Sequence, residues 1–234
     1  PPAMGIFRPM AVQSPHDLIP RVREGVFFEP LQALPRGRHS LSGEEVRAIQ
    51  QERILVSMTE LMAAHGAPGI GSNEIARHAG VSLAAFYECF DGKEACALAG
   101  YDRFIEVLFH AMNAVDVGSR TRPELVCGLI RAYLETLQSD LVVARAYQVE
   151  IDSLGASVRK RRRDSLLLFA HHLWGVSSDD SPTGRGPEQL PWSAYIGIIY
   201  TTRQLASDAL DTEEKPDLIA LSDELAIWVT DLFR

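Results

Sequence analysis

The chain has few cysteines and no excess of positive charge, and each shortage excludes a class of protein. Its three cysteines, Cys89, Cys96 and Cys127, form no Cys-x-x-Cys pair, and the scattered histidines do not complete a zinc site. We therefore expect reduced thiols and no bound metal. The net charge of −8 at pH 7 argues against indiscriminate attraction to polyphosphate. Any binding of nucleic acid must depend on local geometry.

Long apolar runs and catalytic motifs are also missing. No run approaches the roughly 20 apolar residues that a membrane-spanning helix needs, and the first residues lack a basic stretch followed by an apolar one. No Ser/His/Asp order, glycine-rich phosphate loop or paired-carboxylate spacing stands out. We therefore expect a cytoplasmic protein with no membrane partner, no catalytic residues and no cofactor.

The first 43 residues are rich in proline and show no sustained hydrophobic period. This composition predicts an extended, partly ordered arm. It ends in a basic stretch in which Arg36 and Arg38 could follow a DNA backbone or enter a minor groove. A solvated linker is the alternative interpretation of the same residues.

A capping box opens the first predicted helix. Ser42 is followed three residues later by Glu45, the spacing at which the two side chains cap each other's backbone amides. Gly66 and Pro68 end the apolar pattern that follows. The sequence therefore predicts a helix at about 43–65.

Two short helices are predicted next. Ser72 can cap the first of them, and Gly80 ends it in the manner of a left-handed C-terminal cap. Ser82 caps the second only two residues later. Helices joined by so tight a glycine-containing turn must cross steeply, so the segment at about 72–90 is predicted to be a helix-turn-helix.

Helical patterns continue to the end of the chain. Asp91 and Glu94 repeat the capping logic and start a long amphipathic helix. No alternating strand pattern competes, so we expect an all-α fold. Further helices are predicted at 123–139, 141–153, 157–174, 191–210 and 216–233. The predicted division is an N-terminal arm (1–43), a three-helix DNA-binding head (44–100) and a larger helical body for ligand binding and dimerisation (101–234).

The head carries a family resemblance. The run Ile-Ala-Arg-His-Ala-Gly-Val-Ser at 75–82, followed at a fixed distance by Tyr-x-x-Phe-x-x-Lys-Glu at 87–94, resembles the tetracycline-repressor (TetR) family, in particular its actinobacterial members. The resemblance implies a regulator that binds a double-stranded DNA operator as a homodimer joined through its last two helices. It also implies a small-molecule effector that releases the operator, and repression is the commoner mode of regulation in the family.

The resemblance assigns roles to single residues. Ser72 matches the hydroxyl residue that meets a phosphate at the start of the second helix, and Asn73 beside it could reach a base edge or a phosphate. Tyr87 and Lys93 match the family's phosphate-contacting tyrosine and lysine. The remaining candidates for DNA contact lie on the recognition helix and at its start: Ser82, Leu83, Ala84, Ala85 and Glu88.

The recognition helix departs from the family in having few polar readers. Leu83-Ala84-Ala85 stands where a polar or basic residue, glycine and threonine are common. We hypothesise that Leu83 and Ala84 contact thymine methyl groups, while Glu88 selects against the wrong base or accepts from cytosine. Residues 1–94 contain nine Lys/Arg against eleven Asp/Glu, so we also expect a modest salt dependence of binding.

The body offers candidates for an effector pocket and for a dimer interface. Aromatic and polar residues are chosen for the pocket because such sites combine apolar walls with a few polar groups; they are Phe109, Met112, Tyr133, Tyr147, Glu150, His172, Trp192 and Tyr195. A wide apolar stripe close to the C-terminus needs a partner to cover it. The interface candidates are Trp192, Ile196, Ile199, Leu221, Leu225, Trp228, Val229 and Leu232.

Two other functions stay open at this point. The depleted recognition helix permits a sensor of this fold that has lost DNA binding and acts through ligands or protein partners. A helical enzyme that uses the larger domain is the second alternative. The basic run at 159–163 is interpreted as a solvated helix face rather than as a second anion site.

Overall fold

The structure is a computed structural model, and it describes residues 19–33, 41–116, 118, 120–178 and 190–233. Over these ranges the chain forms α-helices, two short 3-10 helices and no β-sheet, which confirms the expected all-α fold. None of the helices described is long and apolar enough to cross a membrane. The α-helices are α1 (Gly43–His65), α2 (Ser72–Ala79), α3 (Leu83–Cys89), α4 (Lys93–Asn113), α5 (Arg122–Ser139), α6 (Leu141–Gln148), α7 (Ala156–Ser178), α8 (Trp192–Thr212) and α9 (Leu218–Leu232).

Helix α1 lies between the head and the body. The predicted Ser42–Glu45 capping box opens it, with the Glu45 amide donating to Ser42 Oγ over 3.2 Å. All residues from 54 to 62 are buried, because α1 packs on α2 and α3 on one side and on α4 and α6 on the other. A helix that is buried all round belongs to a core. The head and the body therefore share this helix.

Tyr147 joins three helices at this core. Its hydroxyl lies 2.8 Å from Oγ1 of Thr59 in α1, and Thr59 donates its own hydroxyl proton to the Leu55 carbonyl. The phenol of Tyr147 is therefore the donor to Thr59. On the other side the phenol fits against Gly100 of α4, where an added Cβ would come within 2.0 Å of the phenolic oxygen. Burial raises the pKa of Tyr147, which keeps the phenol protonated.

The caps of α2 and α4 differ from the sequence-based expectation. Ser72 and Asp91 were expected to cap these helices, but the N-cap positions are occupied by Gly71 and Gly92, and neither helix has a side-chain cap. Ser72 is instead the first helical residue of α2. The glycines take the extended backbone that the cap position requires, and no cap side chain accepts from the first amides of α2 or α4.

The predicted turn between α2 and α3 is confirmed. Gly80 adopts the left-handed conformation with φ 70° and ψ 32°, which favours glycine. Arg53 of α1 donates from Nε to the Ala79 carbonyl over 2.8 Å and so closes the end of α2. The second helix begins as expected, with Ser82 Oγ accepting from the Ala85 amide.

The later helices follow the predicted order with shifted ends. The helix expected at 141–153 stops at Gln148 and continues as a 3-10 helix, Glu150–Leu154. Pro216 precedes the last helix instead of starting it, and Asp217 is the cap. Capping and tertiary packing decide helix ends more than periodicity does, so shifts of this size are ordinary.

The described part of the predicted arm, residues 19–33, contains no helix but is packed on both the head and the body. We call it the strap. Its Phe27 is buried and stacks on Phe104 of α4 with ring centroids 5.5 Å apart. The amide of Arg23 donates to Oδ2 of Asp140, the cap of α6, over 2.6 Å. Buried Glu60 of α1 accepts from the Val22 amide over 3.1 Å.

The hydrogen bond between Thr59 and Tyr147 can be tested with a double-mutant cycle. Thr59→Val leaves the buried phenol without its partner and should lower the free energy of unfolding by about 1–3 kcal/mol. Tyr147→Phe should cost a similar amount, and the double variant should cost less than the sum of the two. Urea unfolding measures all four proteins.

The matched control is Thr212→Val. Thr212 is exposed and donates to the Asp208 carbonyl within its own helix, so its loss should cost less than about 0.5 kcal/mol. Strictly additive costs for Thr59→Val and Tyr147→Phe would show that the two hydroxyl groups do not interact.

Candidate nucleic-acid interface and internal cavity

Helix α3 presents one face to solvent. Leu83, Ala84, Tyr87 and Glu88 are exposed, with Leu83 38% and Tyr87 53% accessible. Residues at this spacing lie on one side of a helix. The exposed face therefore carries two apolar side chains, one phenol and one carboxylate. All four were candidates for DNA contact from the sequence.

The opposite face of α3 is fixed to the rest of the head. Phe86 is fully buried in the core, and Arg47 of α1 donates from its guanidinium to the Glu88 carbonyl near the end of the helix. Ala85 is 6% exposed, so its side chain cannot reach a groove, contrary to the expectation that it contacts DNA. The Ala85 amide instead donates to Oγ of Ser82, the N-cap of α3, so both residues stabilise the start of this helix.

No side chain caps the start of α2. Gly71 caps the helix through its carbonyl alone, and it accepts from the amides of Glu74 and Ile75, each over 3.0 Å. Ser72 is half-buried at the first helical position, and Asn73 is exposed beside it. The uncapped amides and the positive end of the helix favour an anion such as a phosphate.

Lys93 begins α4 and reaches back to the turn before α2. Its Nζ donates to the carbonyl of Ala67 over 3.2 Å and to that of Ile70 over 3.0 Å. An ammonium group has three donors, so one remains for a phosphate. The expectation of phosphate binding stays a prediction. The structural role of Lys93 was not visible from the sequence, because its acceptors are carbonyls more than 20 residues away.

Two other basic residues of the head, Arg47 and Arg77, are exposed to solvent, and neither was singled out by its sequence context. The contact of Arg47 with Glu88 joins residues 41 positions apart, so no local pattern reveals it. Arg36 and Arg38, the predicted arm contacts, lie outside the described residues.

The body contains a small, almost entirely apolar cavity of about 20 Å³. This is room for about one water molecule, well below the roughly 300–1,000 Å³ of small-molecule pockets, so the walls must move apart to admit a ligand. Met112 and Tyr133, two of the residues expected from the sequence to line an effector pocket, contribute to the wall, and the pocket itself stays a prediction. The other lining residues are Leu129, Ile130, Leu166, Phe169, Leu173, Ile199, Thr202 and Arg203.

Two further pocket candidates lie behind this wall. Phe109 packs on Phe169, with centroids 5.4 Å apart, and on the His172 ring at 5.0 Å. Nε2 of His172 is buried without a hydrogen-bond partner within the described parts of the chain. Burial lowers the pKa of His172, so the ring is neutral at pH 7.

The remaining pocket candidates lie elsewhere. Tyr147 is the core residue that contacts α1 and α4, and Tyr195 is 1% exposed and packed in the core. Glu150 lies beside the turn that follows α1, where burial raises the pKa of its carboxyl. Trp192 is 36% exposed and stacks on His171 at 4.4 Å. Their chemistry suited a pocket, but none of them lines the small apolar cavity of the body.

Thr202 and Arg203 are the polar lining residues that the sequence analysis missed. Both lie on α8, whose apolar pattern also suited a dimer interface. Arg203 is only 9% exposed and donates to the carbonyl of Gln148 over 2.8 Å. A single arginine on an amphipathic helix is normally solvated, so only tertiary packing shows that this one is buried.

The residues predicted for the dimer interface differ in how far they are exposed. Leu225, Val229 and Ile199 are buried within the single chain, because α9 packs along α5 and Ile199 faces the cavity. Little of their surface is left to contact a partner. Ile196, Leu221 and Leu232 are partly buried, whereas Trp192 and Trp228 are exposed. Two exposed apolar or aromatic side chains were not among the interface candidates from the sequence: Ile227, at 70% the most exposed of the large apolar residues described, and Tyr200, at 41%.

The basic run at 159–163 contains three ion pairs. Lys160 pairs with Asp164, Arg161 with Asp102, and Arg162 with Asp152. Lys160 is exposed, as expected for a solvated face, but Arg161 and Arg162 are partly buried. Within the described residues no three His, Cys, Asp or Glu side chains are grouped to hold a metal ion.

Comparison with known proteins agrees with this geometry. Residues 54–99, which contain α2, α3 and their supports, match the family model described as bacterial regulatory proteins, tetR family. The HTH-type transcriptional regulator EthR of Mycobacterium tuberculosis is 24% identical over 214 residues, which is 86% of this chain and 94% of that protein.

Solved structures share the helical fold. The fatty acid degradation regulator FadR of Bacillus halodurans has a TM-score of 0.66 at 18% identity, over 77% of this chain and 94% of its own. FadR of Bacillus subtilis, solved in complex with stearoyl-CoA, has a TM-score of 0.63 at 21% identity, over 76% and 96%.

The structural role of Lys93 predicts a loss of stability when it is replaced. Lys93→Met removes two hydrogen bonds to backbone carbonyls, and should lower the free energy of unfolding by about 1–3 kcal/mol. The control is Lys160→Met at an exposed i,i+4 ion pair, which should change stability by less than about 0.5 kcal/mol. Equal denaturation midpoints for Lys93→Met and the parent protein would contradict this role.

Proposed function

Because the chain belongs to the TetR family of DNA-binding transcriptional regulators, we propose that it represses by holding an operator as a homodimer and releases it when a small molecule occupies the cavity. The observation that carries the proposal is the pairing of an exposed α3 face with the uncapped start of α2. The first can enter a major groove, and the second can hold the adjacent phosphate. In this proposal the ligand widens the small apolar cavity of the body as it enters.

Phosphate contacts supply most of the affinity in this proposal. Tyr87 projects from α3, Ser72 and Asn73 start α2, and Lys93 keeps one free donor near the same turn. Base recognition is left to Leu83, Ala84 and Glu88, which can distinguish thymine methyl groups and cytosine amino groups but offer no bidentate donor.

Effector binding has a physical route to the head. Helix α4 starts at Lys93 in the head and contributes Met112 to the cavity wall. Its middle contacts Tyr147 through Gly100 and the strap through Phe104. A ligand that fits one arrangement of α4 better than another shifts the balance between head orientations by its difference in affinity.

The dimer is proposed to form through the exposed apolar residues of α8 and α9. Trp192, Tyr200, Ile227 and Trp228 are exposed on these helices although they are apolar or aromatic. Exposed patches of this kind mark protein–protein contacts. A two-fold partner would cover both copies of the same patch.

DNA binding is tested by fluorescence anisotropy with duplexes selected from a random pool and with the DNA that flanks the gene. Lys93→Ala should reduce the slope of log K against log salt by about one for each phosphate that the ammonium group neutralises. Tyr87→Phe should weaken binding about equally for matched and mismatched operators, because a phosphate contact carries no sequence information.

The exposed Lys160→Ala serves as control and should leave the slope unchanged. Replacing thymine by uracil in the selected operator tests the methyl contacts of Leu83 and Ala84. If no duplex from the pool binds at low salt, operator binding is rejected and a sensor that acts without DNA becomes the better description.

The interface is tested by sedimentation velocity. Ile227→Glu together with Trp228→Glu should convert the dimer into monomer, because it would bury two charges on each side of the contact. Leu31→Glu, at a 38% exposed position of the strap, is the matched change and should leave a dimer. A dimer that survives the paired change would place the interface elsewhere.

A further inference from the structure

The strap connects two carboxylates that lie on different helices. The amide of Val22 donates to Oε1 of Glu60 in α1 over 3.1 Å, and the next amide along the chain, that of Arg23, donates to Oδ2 of Asp140 over 2.6 Å. Both carboxylates are buried, Glu60 at 2% exposure and Asp140 at 1%, and Asp140 caps the body helix α6. Two consecutive peptide groups therefore form a bridge from α1 to α6, which we call the first bridge.

The carboxylate of Glu60 also joins the strap to the helix-turn-helix. Its Oε2 accepts from Nη1 of Arg21 over 2.8 Å and lies 2.7 Å from Nε2 of His78 in α2. A buried carboxylate is costly unless polar groups surround it. Without the strap, Glu60 would keep only His78 beside its carboxylate within the described part of the chain. The strap is therefore held at the point where α1 and α2 meet.

A second bridge lies farther along the strap. Oε1 of Glu52 in α1 accepts from the Glu29 amide over 2.9 Å and from Nη1 of Arg103 in α4 over 2.6 Å. The Arg103 guanidinium also lies over the ring of the buried Phe28, 5.7 Å from its centroid, which is within the range of a cation–π contact. At this second bridge the strap connects α1 with α4.

Two bridges to different body helices restrict rotation of the head more than helix packing alone. Helix α1 also packs on α4 and α6, but apolar contact is non-directional and tolerates a small rotation. A hydrogen bond weakens steeply when its angle changes. Because the first bridge ends on α6 and the second on α4, a rotation of α1 that preserves one bridge distorts the other.

We propose that the strap determines which half-site spacing the operator must have, because it fixes the angle of each head on its body. This inference rests on the proposed function, since only a dimer presents two recognition helices. One base pair inserted between the half-sites moves one of them by about 3.4 Å and turns it by about a tenth of a helical turn. A head held by both bridges cannot follow this change without breaking one of them. Asp140 and Phe28 are then positioning residues that select the operator without touching it.

Operators of altered spacing test this role. Fluorescence anisotropy compares the selected operator with two versions of it, one with a base pair inserted between the half-sites and one with a base pair removed. The parent protein should bind both altered versions at least roughly tenfold more weakly, the loss expected when a hydrogen bond to a charged group is broken. A parent protein that binds all three spacings equally would overturn the inference.

Asp140→Asn breaks the first bridge and leaves the helix cap in place. Oδ1 of Asp140 accepts from the amides of Val142 and Val143, which the side-chain oxygen of asparagine can also do, whereas its NH2 group would face the Arg23 amide. The affinity for the original spacing should change less than about threefold, while the tenfold preference for that spacing should fall below about threefold. An equal loss of affinity at every spacing would show that Asp140 stabilises the fold and does not set the spacing.

Phe28→Leu tests the second bridge independently. Leucine keeps an apolar side chain in the core but removes the aromatic face on which Arg103 lies. The preference for the original spacing should decrease, as in Asp140→Asn. This variant keeps the inference testable if Asp140→Asn fails to fold, and an unchanged preference in both variants would overturn it.

Two control variants match these changes. Asp217 is an exposed cap of α9 that accepts from the amides of Ile219 and Ala220, each over 3.1 Å, so Asp217→Asn makes the same substitution at a cap without a bond to the strap. Val26→Ala changes the strap itself at a 37% exposed position. Both controls should keep the preference of the parent protein for the original spacing.

Hydrogen exchange without DNA measures the first bridge directly. Mass spectrometry of residues 19–33 should show exchange that is at least roughly tenfold faster near Arg23 in Asp140→Asn than in the parent protein or in Asp217→Asn. Unchanged exchange would overturn the inference even if the operator binds.

The two possible failures are distinguishable. If no duplex from the pool binds, the proposed function fails and the role in spacing fails with it. If the operator binds but its spacing preference does not depend on Asp140 or Phe28, the role of the strap fails alone and operator binding stands.

Discussion

The middle of α1 is buried on every side, and the rest of the structure depends on this constraint. Its residues 54–62 face the helix-turn-helix on one side and the body on the other. The hydroxyl groups in this stretch are satisfied, Ser57 by the Ile75 carbonyl over 2.8 Å and Thr59 by Leu55 and Tyr147. A buried helix whose hydrogen bonds are complete resists small displacements. Movement of the head therefore requires the neighbours of α1 to move together.

The same packing connects the wall of the small cavity in the body to the surface that is proposed to bind DNA. Helix α4 passes from the Lys93 contacts with the turn before α2 to Met112 in the cavity wall. The strap adds a second link, because Phe27 packs on α4 while the Arg23 amide binds Asp140 at the start of α6. Helix α4 and the strap therefore both connect the head to the body, the strap through α4 and α6. A change in the distance between α4 and α6 should therefore change the orientation of the head. Ligand binding can bias that spacing only through contacts that differ between the two states.

Local patterns predicted much of the head. Ser42, Gly80 and Ser82 act within a few residues of themselves, so their caps could be inferred directly, and the family motif placed α3 and its exposed face. Ala85 was wrongly expected to contact DNA, because a short helix shows too few residues for periodicity to separate its buried face from its exposed face. The body was harder to predict. Tyr147, Trp192 and Tyr195 have the chemistry of pocket residues, yet the small apolar cavity of the body is lined by other residues, Thr202 and Arg203 among them.

The sequence by itself determined the helical class, the order of the helices and the helix-turn-helix, since caps, turns and hydrophobic period act over less than about two helical turns. Only the tertiary structure decided which side of each body helix faces α1, the cavity or solvent. It placed Leu225 and Val229 inside the chain and left Ile227 outside, because α9 packs on α5, a contact between segments almost 100 residues apart. It also buried Arg203 next to Tyr133 through their common contact with Gln148. Contacts over such separations depend on how all the helices fill one core, and no local pattern carries that information.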